Sequence, residues 1–514
     1  MTSGTITPYR SQLPAGRDGF AQLLRAEWTK FRSVRSWIVG LAVAGLVTVL
    51  LGLLSVAGSH TSCGGSPGGP APASACTPPL GPGGEAVSDG FFFVHQPLDG
   101  DGSITVRVTS LTGRESELEP WAKAGLIIKE STTQGSAYAA VMITGDHGVR
   151  MQYDYTHDTA GGTGAVSEGS PRWLRLTRSG GTLTGYESAD GTHWTEVGTA
   201  RLTGLASTVQ AGLFVASPDH EEYDQSLGAS KTTGGPTQAT AEFDHVALKG
   251  DWPSGTWSGE DSRGGDSGRQ TSVEAFQETG GTFTVSGSGN IAPALAAGGN
   301  TVEMSLVGAF AGLIAVIVVA TMFVTAEYRR GLIRTTFAAS PRRGRVLAAK
   351  AIVIGGVTFV AGLAASALAF SLVGRIRRDH GDVVLPVSSL TELRVVVGTA
   401  ALLAVAAVIA LAVGTVLRRS AGAVAAVIVL VVLPYILAVA SVLPVGPGQW
   451  LLRITPAAAF AVQQSLPEYQ QVGNAYTPAN GYFPLAPWTG FAVLCVWTTF
   501  ALALAVFLLN RRDA

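Results

Sequence analysis

A basic, threonine-rich segment is the part of this chain best suited to act on another molecule. It reads TAEYRRGLIRTTFAASPRRGRVLAAK over residues 325–350. Its apolar positions fall close to i, i+4 spacing, which predicts a short helix with one apolar side: Leu332, Ile333, Thr336 and Phe337. Gly331 permits a bend before this helix, and Pro341 ends or restarts it. One interpretation is a basic loop that only fixes membrane topology. A loop that only fixed topology would not need a compact apolar stripe among its arginines.

Motifs for catalysis are absent from the sequence. No GxxxxGK[ST] phosphate-binding loop occurs, so any ATP hydrolysis must be supplied by another chain. No nucleophile–base pair or pair of carboxylates stands out either. Asp154, His157 and Asp158 follow a predicted strand, and we interpret them as a solvated loop rather than a metal site. We expect no enzyme activity, no cofactor, no metal and no nucleic-acid partner.

Six apolar segments are long enough to hold this loop at a membrane surface. A hydrocarbon core about 30 Å thick needs roughly 20 apolar residues in a helix. None of the six contains Lys, Arg, Asp or Glu, which also argues against an ion-coupled transporter. The segments are Trp37–Ala57, Met304–Thr325, Ala351–Gly374, Val395–Leu417, Ala421–Leu443 and Trp488–Leu509. The sequence therefore predicts a polytopic α-helical membrane protein.

Basic residues predict the orientation. With six crossings, four basic stretches fall on the side of both termini, which the positive-inside rule makes cytoplasmic. They are the arm 1–36, the loop between the second and third spans, Arg418–Arg419 and Arg511–Arg512. One cluster is an exception to the positive-inside rule, because Arg375, Arg377 and Arg378 follow the third span and fall on the extracellular side. We expect cytoplasmic termini in a bacterial cell membrane, with residues 58–303 extracellular.

The polar insert after the first span reads as an all-β sandwich. A Gly/Pro-rich linker (58–86) precedes short β-rich runs over 87–250, and a Gly/Ser-rich stalk (251–303) follows, with one possible hairpin near 282–285. Cys63 and Cys76 flank part of the linker, where a disulfide and two free thiols are both open alternatives. Cys495, inside the sixth span, is interpreted as a small packing residue.

Part of this insert resembles a known fold. The stretch WLRLTRSGGTLTGYESADGTHWTEVG (173–198), followed by VQAGLFVAS, is similar to concanavalin A/laminin-G-like jelly rolls. The resemblance implies a fold and, for some members, binding of a glycan or protein. We interpret Trp121, Trp173 and Trp194 as core residues rather than as a ligand platform.

The basic loop resembles the first intracellular loop of ABC-2-type permeases, the membrane subunits of type-2 ABC exporters. Two other strings agree: AEWTKFRSVRS (26–36) resembles their elbow helix, and ITPAAAFAVQQSL (454–466) lies where they have short re-entrant helices. In that family a coupling helix in this loop docks on a separate ATPase. The resemblance implies that these residues couple to the ATPase: Glu327, Tyr328, Arg330, Gly331, Arg334, Thr335, Arg342 and Arg343.

The expected organisation is a cytoplasmic arm with an elbow helix (1–36), a first span (37–57), the insert, and five further spans over 304–514. The resemblance implies a permease subunit that exports a substrate with an ATPase partner and a second permease subunit, in a homodimer or heterodimer. The alternative is a membrane-anchored receptor whose external sandwich binds a glycan or peptide without transport. Substrate and partner identity are outside the reach of the sequence.

Overall fold

A computed structural model describes most of the chain: residues 19–57, 78–114, 117–164, 166–167, 169–226, 229–253, 255–263, 275–295, 300–340, 342–473 and 476–512. Cys63 and Cys76, for which a disulfide is one alternative, lie outside the described residues.

Six helical units are long and apolar enough to cross a membrane, as predicted. They are α2, α3, α5, α6, the pair α7–α8 and α10. The helices are α1 (Phe20–Ser33), α2 (Arg35–Leu54), α3 (Ala309–Arg329), α4 (Leu332–Ala339), α5 (Arg343–Asp379), α6 (Ser389–Leu417), α7 (Ser420–Val427), α8 (Leu433–Val439), α9 (Val445–Ile454) and α10 (Pro487–Arg512). A π-helical segment, Ile428–Val432, joins α7 to α8.

Helix α6 forms the centre of the membrane-spanning part. It is the most buried of the six units and packs against α3, α5 and α10. Small residues allow close approach: a Cβ on Gly414 of α6 would lie 2.7 Å from a methyl group of Val324 of α3. Between α2 and α3, a Cβ on Gly308 would clash with the Thr48 carbonyl. Close backbone approach is the main source of helix association in lipid, where hydrophobic burial drives little.

The segment after α9 fills a gap between helices. A 3-10 helix, Pro456–Gln463, is almost entirely buried against α6 and α10. Gln463 donates a hydrogen bond from Nε2 to Thr399 Oγ1 at 2.9 Å, which anchors the segment to α6. The short helices after the fifth span therefore fold back against the membrane-spanning bundle.

The insert forms the predicted β-sandwich. Its strands are β1 (Val87–Asp89), β2 (Phe92–Gly113), β3 (Lys123–Lys129), β4 (Tyr138–Thr144), β5 (Val149–Tyr153), β6 (His157–Ala160), β7 (Arg172–Ser179), β8 (Thr182–Ser188), β9 (Thr195–Arg201), β10 (Thr208–Ala216), β11 (His220–Ser226), β12 (Ala229–Gly235), β13 (Ala239–Asp251), β14 (Ser258–Asp261), β15 (Phe276–Thr279), β16 (Thr282–Gly287) and β17 (Ile291–Pro293). The segment 251–303, expected as a stalk with one hairpin, contributes β14 to β17.

Strand β2 belongs to both layers of the sandwich. Its first half pairs with β10 and β14, and its second half pairs with β13 and β7. The first layer runs β6-β5-β4-β3-β10-β2-β14, and the second runs β15-β16-β13-β2-β7-β8-β9. Gly100, with φ +63°, and Gly102 lie between the two halves. A Cβ on Gly102 would lie 2.6 Å from the Lys249 carbonyl oxygen, so the crossing requires a residue without one.

The core of the sandwich lies between the layers and follows the period-two pattern of the strands. Ile104, Val106 and Val108 of β2 face it from the second layer, and Leu126 and Ile128 of β3 face it from the first. Alternate residues of β3 point away from this core, to the outer face of the first layer.

The chain's own strands cover that outer face. Strands β1 and β17 pair with each other, and together with Phe91, Phe93 and Tyr138 they form a second buried cluster. Two buried lysines of β3 hold this cover in place. Lys129 donates to Asp89 Oδ2 at 2.8 Å, and Lys123 donates to the Ile291 carbonyl at 2.7 Å. Burial among neutral acceptors lowers the pKa of Lys123 to about 7.

The covering strands also touch the membrane-spanning part. Ala292 and Leu295 pack with Val472, which lies between α9 and α10. Gln471 donates from Nε2 to the Tyr155 carbonyl at 3.4 Å. We call the side of the membrane bearing these contacts the sandwich side, and the opposite side, where α10 ends, the terminal side.

Removing the Asp89 carboxylate should loosen the cover. Asp89 Oδ2 accepts from Lys129 Nζ, from the Tyr155 hydroxyl at 2.7 Å and from the Gly135 amide at 2.8 Å. Asp89→Ala leaves the Lys129 ammonium buried without its counter-ion, which costs about 3–5 kcal/mol. Hydrogen exchange of β1 and β3 in the full-length protein should speed up by the factor that corresponds to this loss of free energy.

The matched control replaces both charges together. Asp89→Leu with Lys129→Met removes the pair without stranding either charge, so most of the protection should return. Equal exchange rates in the single and double variants would contradict the assigned role of this ion pair.

Candidate functional site

The basic loop contains the short helix that its sequence pattern predicts. Helix α3 ends at Arg329, and Gly331 turns the chain with φ +72°, a left-handed conformation that suits glycine. Helix α4 then runs over Leu332–Ala339, and α5 begins at Arg343. The loop therefore places one short helix across the terminal side, between the second and third spans.

Helix α4 has an inward and an outward face. Thr336 and Phe337 are half-buried, and Phe337 packs against the membrane-spanning core. The Arg343 guanidinium lies 5.6 Å from the centre of the Phe337 ring, and it donates to the Leu509 carbonyl at 2.5 Å. The outward face carries Leu332, which is 50% exposed, beside Arg334. The outward face of α4 thus combines an exposed apolar side chain with a positive charge.

Beneath α4 lies a cluster of four charged side chains, which we call the ion cluster: Glu27, Lys30, Glu327 and Lys350. Lys350 Nζ lies 2.6 Å from Glu27 Oε2 and 2.6 Å from Glu327 Oε1. Lys30 Nζ lies 2.9 Å from Glu27 Oε1 and 3.3 Å from Glu327 Oε1. Each ammonium therefore bridges both carboxylates.

The ion cluster is electrically neutral and largely closed to solvent. The Lys350 and Glu27 side chains are each 2% exposed, and Lys30 at the rim is 40% exposed. The pKa of Lys30 is raised above its usual value. Burial by itself would lower it, but the hydrogen bond to Glu27 and the charge of Glu327 together have the larger effect. Lys350 Nζ also lies 5.2 Å from the centre of the Phe323 ring, a cation–π contact.

The ion cluster connects four helices. Glu27 and Lys30 come from α1, Glu327 from the last turn of α3, and Lys350 from the first turns of α5. Lys30 Nζ also lies 3.3 Å from Thr336 Oγ1, which brings in α4. Because separating one buried partner leaves an unpaired charge, these helices are held as one unit.

The residues expected to couple to a partner divide between surface and interior. Arg330, Arg334, Thr335 and Arg342 are exposed, and Gly331 shapes the turn between α3 and α4. Glu327 lies inside the ion cluster, and Arg343 turns inward to α10. Tyr328 is half-buried, with the Arg418 guanidinium 5.2 Å from its ring centre.

Sequence reasoning did not find the partners of Glu327. Glu27 is the one acidic residue in α1, and it lies on the same side of that helix as buried Phe31, four positions later. A lone carboxylate on an apolar helix face predicts a buried cation nearby. Lys350, which directly precedes an apolar span, is the cation that this pattern predicts as a partner for Glu27.

Of the three tryptophans interpreted as core residues, one is buried and two are half-buried. Trp121 is buried and stacks on His147, with ring centres 3.8 Å apart. Trp173 and Trp194 are half-buried beneath arginines, and Arg175 lies 3.9 Å from the Trp194 ring centre. Within the part of the chain that the structure describes, no group of three or more His, Cys, Asp or Glu could hold a metal ion.

The fold and this loop define a polytopic membrane protein with a short, partly exposed helix on one side. Family comparison agrees: the ABC-2 family transporter protein family matches residues 184–514, so the match begins inside the sandwich and covers all five later spans. The chain belongs to the ABC-2 transporter family. It is therefore a membrane-spanning transport component rather than a catalytic enzyme.

Other comparisons add little. Among curated proteins, no match was found. A functionally unknown protein from Saccharomyces cerevisiae is similar over 32% of this chain and 75% of its own, with 18% identity and a TM-score of 0.21. Scytalido-glutamic peptidase is similar over 39% of this chain and 98% of its own, with 11% identity and a TM-score of 0.26. These TM-scores are too low to carry an argument about function.

Removing Lys350 should release α1. Lys350→Met leaves two buried carboxylates with Lys30 as their one cation, at a cost of about 3–5 kcal/mol. Hydrogen exchange in the full-length protein should accelerate in α1 and α4, because both are attached through these charges.

Arg345→Met is the matched control, since Arg345 is an exposed cation on the same helix. It should leave the exchange of α1 unchanged. Equal protection of α1 in Lys350→Met and the native chain would show that the ion cluster does not hold this helix.

Proposed function

We propose that this chain is the permease subunit of an ABC exporter and that a separate ATPase subunit docks on the outward face of α4. The observation that carries the proposal is the structure of α4 itself. Its outward face presents Leu332, Arg334 and Thr335, while its inward face contacts the ion cluster through Thr336. Membership of the ABC-2 family supports this assignment.

Movement of the docked ATPase would reach the spans through the ion cluster. A push on α4 acts directly on α3 and α5, because only short turns connect them. It also acts on α1, because Lys30 contacts both Thr336 and Glu327. Glu327 would then act as a positioning residue within the chain, and the exposed Arg330, Arg334, Thr335 and Arg342 would form the docking contacts.

The proposed orientation places the terminal side in the cytoplasm of a bacterium and the sandwich outside. Exposed arginines on the terminal side support this, since Arg330, Arg334, Arg342 and Arg345 all lie there between the end of α3 and the first turn of α5. A second permease subunit, identical or different, would complete the transport pathway. The substrate class is an amphipathic or hydrophobic molecule, in keeping with a pathway lined by uncharged spans.

A receptor function for the sandwich has less support. The outer face of its first layer is covered by β1 and β17, which leaves less of the sandwich open to a ligand. The cover is fixed by buried Lys123 and Lys129.

Charge reversal on the outward face of α4 should prevent assembly with the ATPase. Arg330→Glu with Arg334→Glu places two negative charges where docking needs positive ones, so recovery of the ATPase should fall at least about tenfold. The measurement is co-purification from membranes, with the partner identified by mass spectrometry as a protein that contains a GxxxxGK[ST] loop.

The same charge change on the sandwich provides the control, because Arg114 and Arg201 are exposed there. Arg114→Glu with Arg201→Glu should leave ATPase recovery unchanged. Failure to recover such an ATPase even with the native chain, together with capture of a glycan or peptide, would favour the receptor instead.

Orientation can be tested by labelling single cysteines in intact cells. In a chain with Cys63, Cys76 and Cys495 changed to Ser, a membrane-impermeant maleimide should label Thr192→Cys, an exposed sandwich residue. It should not label Arg342→Cys until the cells are opened. The reverse pattern would invert the proposed topology.

A further inference from the structure

The basic cluster at the sandwich-side end of α5 lies at the depth of lipid headgroups. The apolar run 351–374 precedes it, and at about 1.5 Å per residue this run spans about 36 Å. Arg375 and Arg378 follow directly, near the end of α5 at Asp379. Their i, i+3 spacing places both on one face of the helix.

These two arginines line a cleft of about 750 Å³. Its lower wall is apolar, with Phe370 and Val302, and Leu80 closes one side. Two acidic residues, Asp382 and Glu392, also line it. The upper part of the cleft is thus charged and the lower part apolar.

The charges around this cleft balance in number. Asp382 interacts electrostatically with the buried Arg377, whose Nε and Nη1 atoms make no hydrogen bond within the described chain. Asp379 and Glu392 are the acidic residues that remain to offset Arg375 and Arg378. Among the described residues, neither of these arginines has a carboxylate within ion-pair distance. The linker 58–80 cannot supply one, because it contains no Asp or Glu.

An apolar groove lies in the membrane region next to the cleft. It lies between α2 and α5, has a volume of about 520 Å³, and is lined by Leu46, Val49, Ala364 and Leu368 among others. Val49 of the groove and Phe370 of the cleft wall pack against the same small cluster, which contains Val302, so groove and cleft border one another there. Leu46 and Leu368 are exposed along it.

We propose that cleft and groove together bind one anionic phospholipid of the sandwich-side leaflet. Its phosphate would lie between Arg375 and Arg378, and its acyl chains would follow the groove between α2 and α5. Two arginines that form no ion pair within the described chain, placed above an apolar groove, match the two halves of such a lipid. It also accounts for basic residues on the side where the positive-inside rule disfavours them.

The test measures lipid binding to the full-length protein in detergent by native mass spectrometry. The probes are dioctanoyl phosphatidylglycerol and dioctanoyl phosphatidylcholine, which share acyl chains and differ in headgroup charge. The first phosphatidylglycerol should bind at least about tenfold more tightly than phosphatidylcholine, since each basic residue near an anionic headgroup contributes about 1 kcal/mol. Arg375→Gln with Arg378→Gln should abolish that preference, and Arg114→Gln with Arg201→Gln on the sandwich should preserve it.

Two further variants test the cleft and groove without removing the arginines. Glu392→Gln removes an acidic group from the cleft and should tighten phosphatidylglycerol binding by up to about fivefold. Ala364→Trp fills the groove at a lipid-exposed position and should weaken binding of both lipids.

Three results would overturn the proposal. The first is an undiminished preference for phosphatidylglycerol after both arginines are replaced. The second is displacement of that lipid by inorganic phosphate at equal concentration, which would indicate a site for free anions. The third is unchanged lipid binding in Ala364→Trp, which would be expected if a second copy of the chain, rather than a lipid, occupied the groove. None of these outcomes depends on whether an ATPase docks on α4.

Discussion

The neutral grouping of Glu27, Lys30, Glu327 and Lys350 is the constraint on which the terminal side of this protein depends. Each ammonium contacts both carboxylates, so no single contact can be lost without weakening another. In a low-dielectric setting an unpaired charge is far more costly than the pair is stabilising. The ion cluster therefore acts mainly by forbidding separation of the helices that contribute to it.

This constraint fixes the position of α4. An eight-residue helix is too short to be stable by itself in water, and its helical state depends on packing. Phe337 supplies apolar contact, and Thr336 supplies a polar contact to Lys30. The side of α4 that remains exposed is thereby fixed, and the proposed docking of an ATPase there would act on α1 as well as on α3 and α5.

The two buried lysines of the sandwich, Lys129 and Lys123, are stabilised by different partners. Lys129 is paired with Asp89 and also donates to the Ser136 carbonyl and the Tyr155 hydroxyl. Lys123 meets the Asn290 amide oxygen and the Ile291 carbonyl, and burial lowers its pKa to about 7. Both sets of contacts fix β1 and β17 over the first layer, so the entry and exit of the insert lie side by side.

Features of the fold with a local sequence signal could be predicted, whereas those that depend on distant partners could not. The six spans follow from apolar length, and α4 follows from its i, i+4 stripe between Gly331 and Pro341. Strand β14 lies in a Gly/Ser-rich stretch and gains its strand conformation from pairing with β2, so composition alone suggested a stalk. Glu27 and Lys350 are 323 residues apart, and no periodicity links them.

Helix α5 shows why this long-range organisation matters for transport. Near one end Lys350 belongs to the ion cluster, and near the other end Arg375 and Arg378 line the cleft. Between them the helix packs along α2 and α6 with an uninterrupted backbone. The proposed coupling therefore has a direct route through α5, because one continuous helix joins the ion cluster to the cleft. Under that proposal, a displacement at α4 would reach Lys350 and change the geometry of the cleft at the other end of α5.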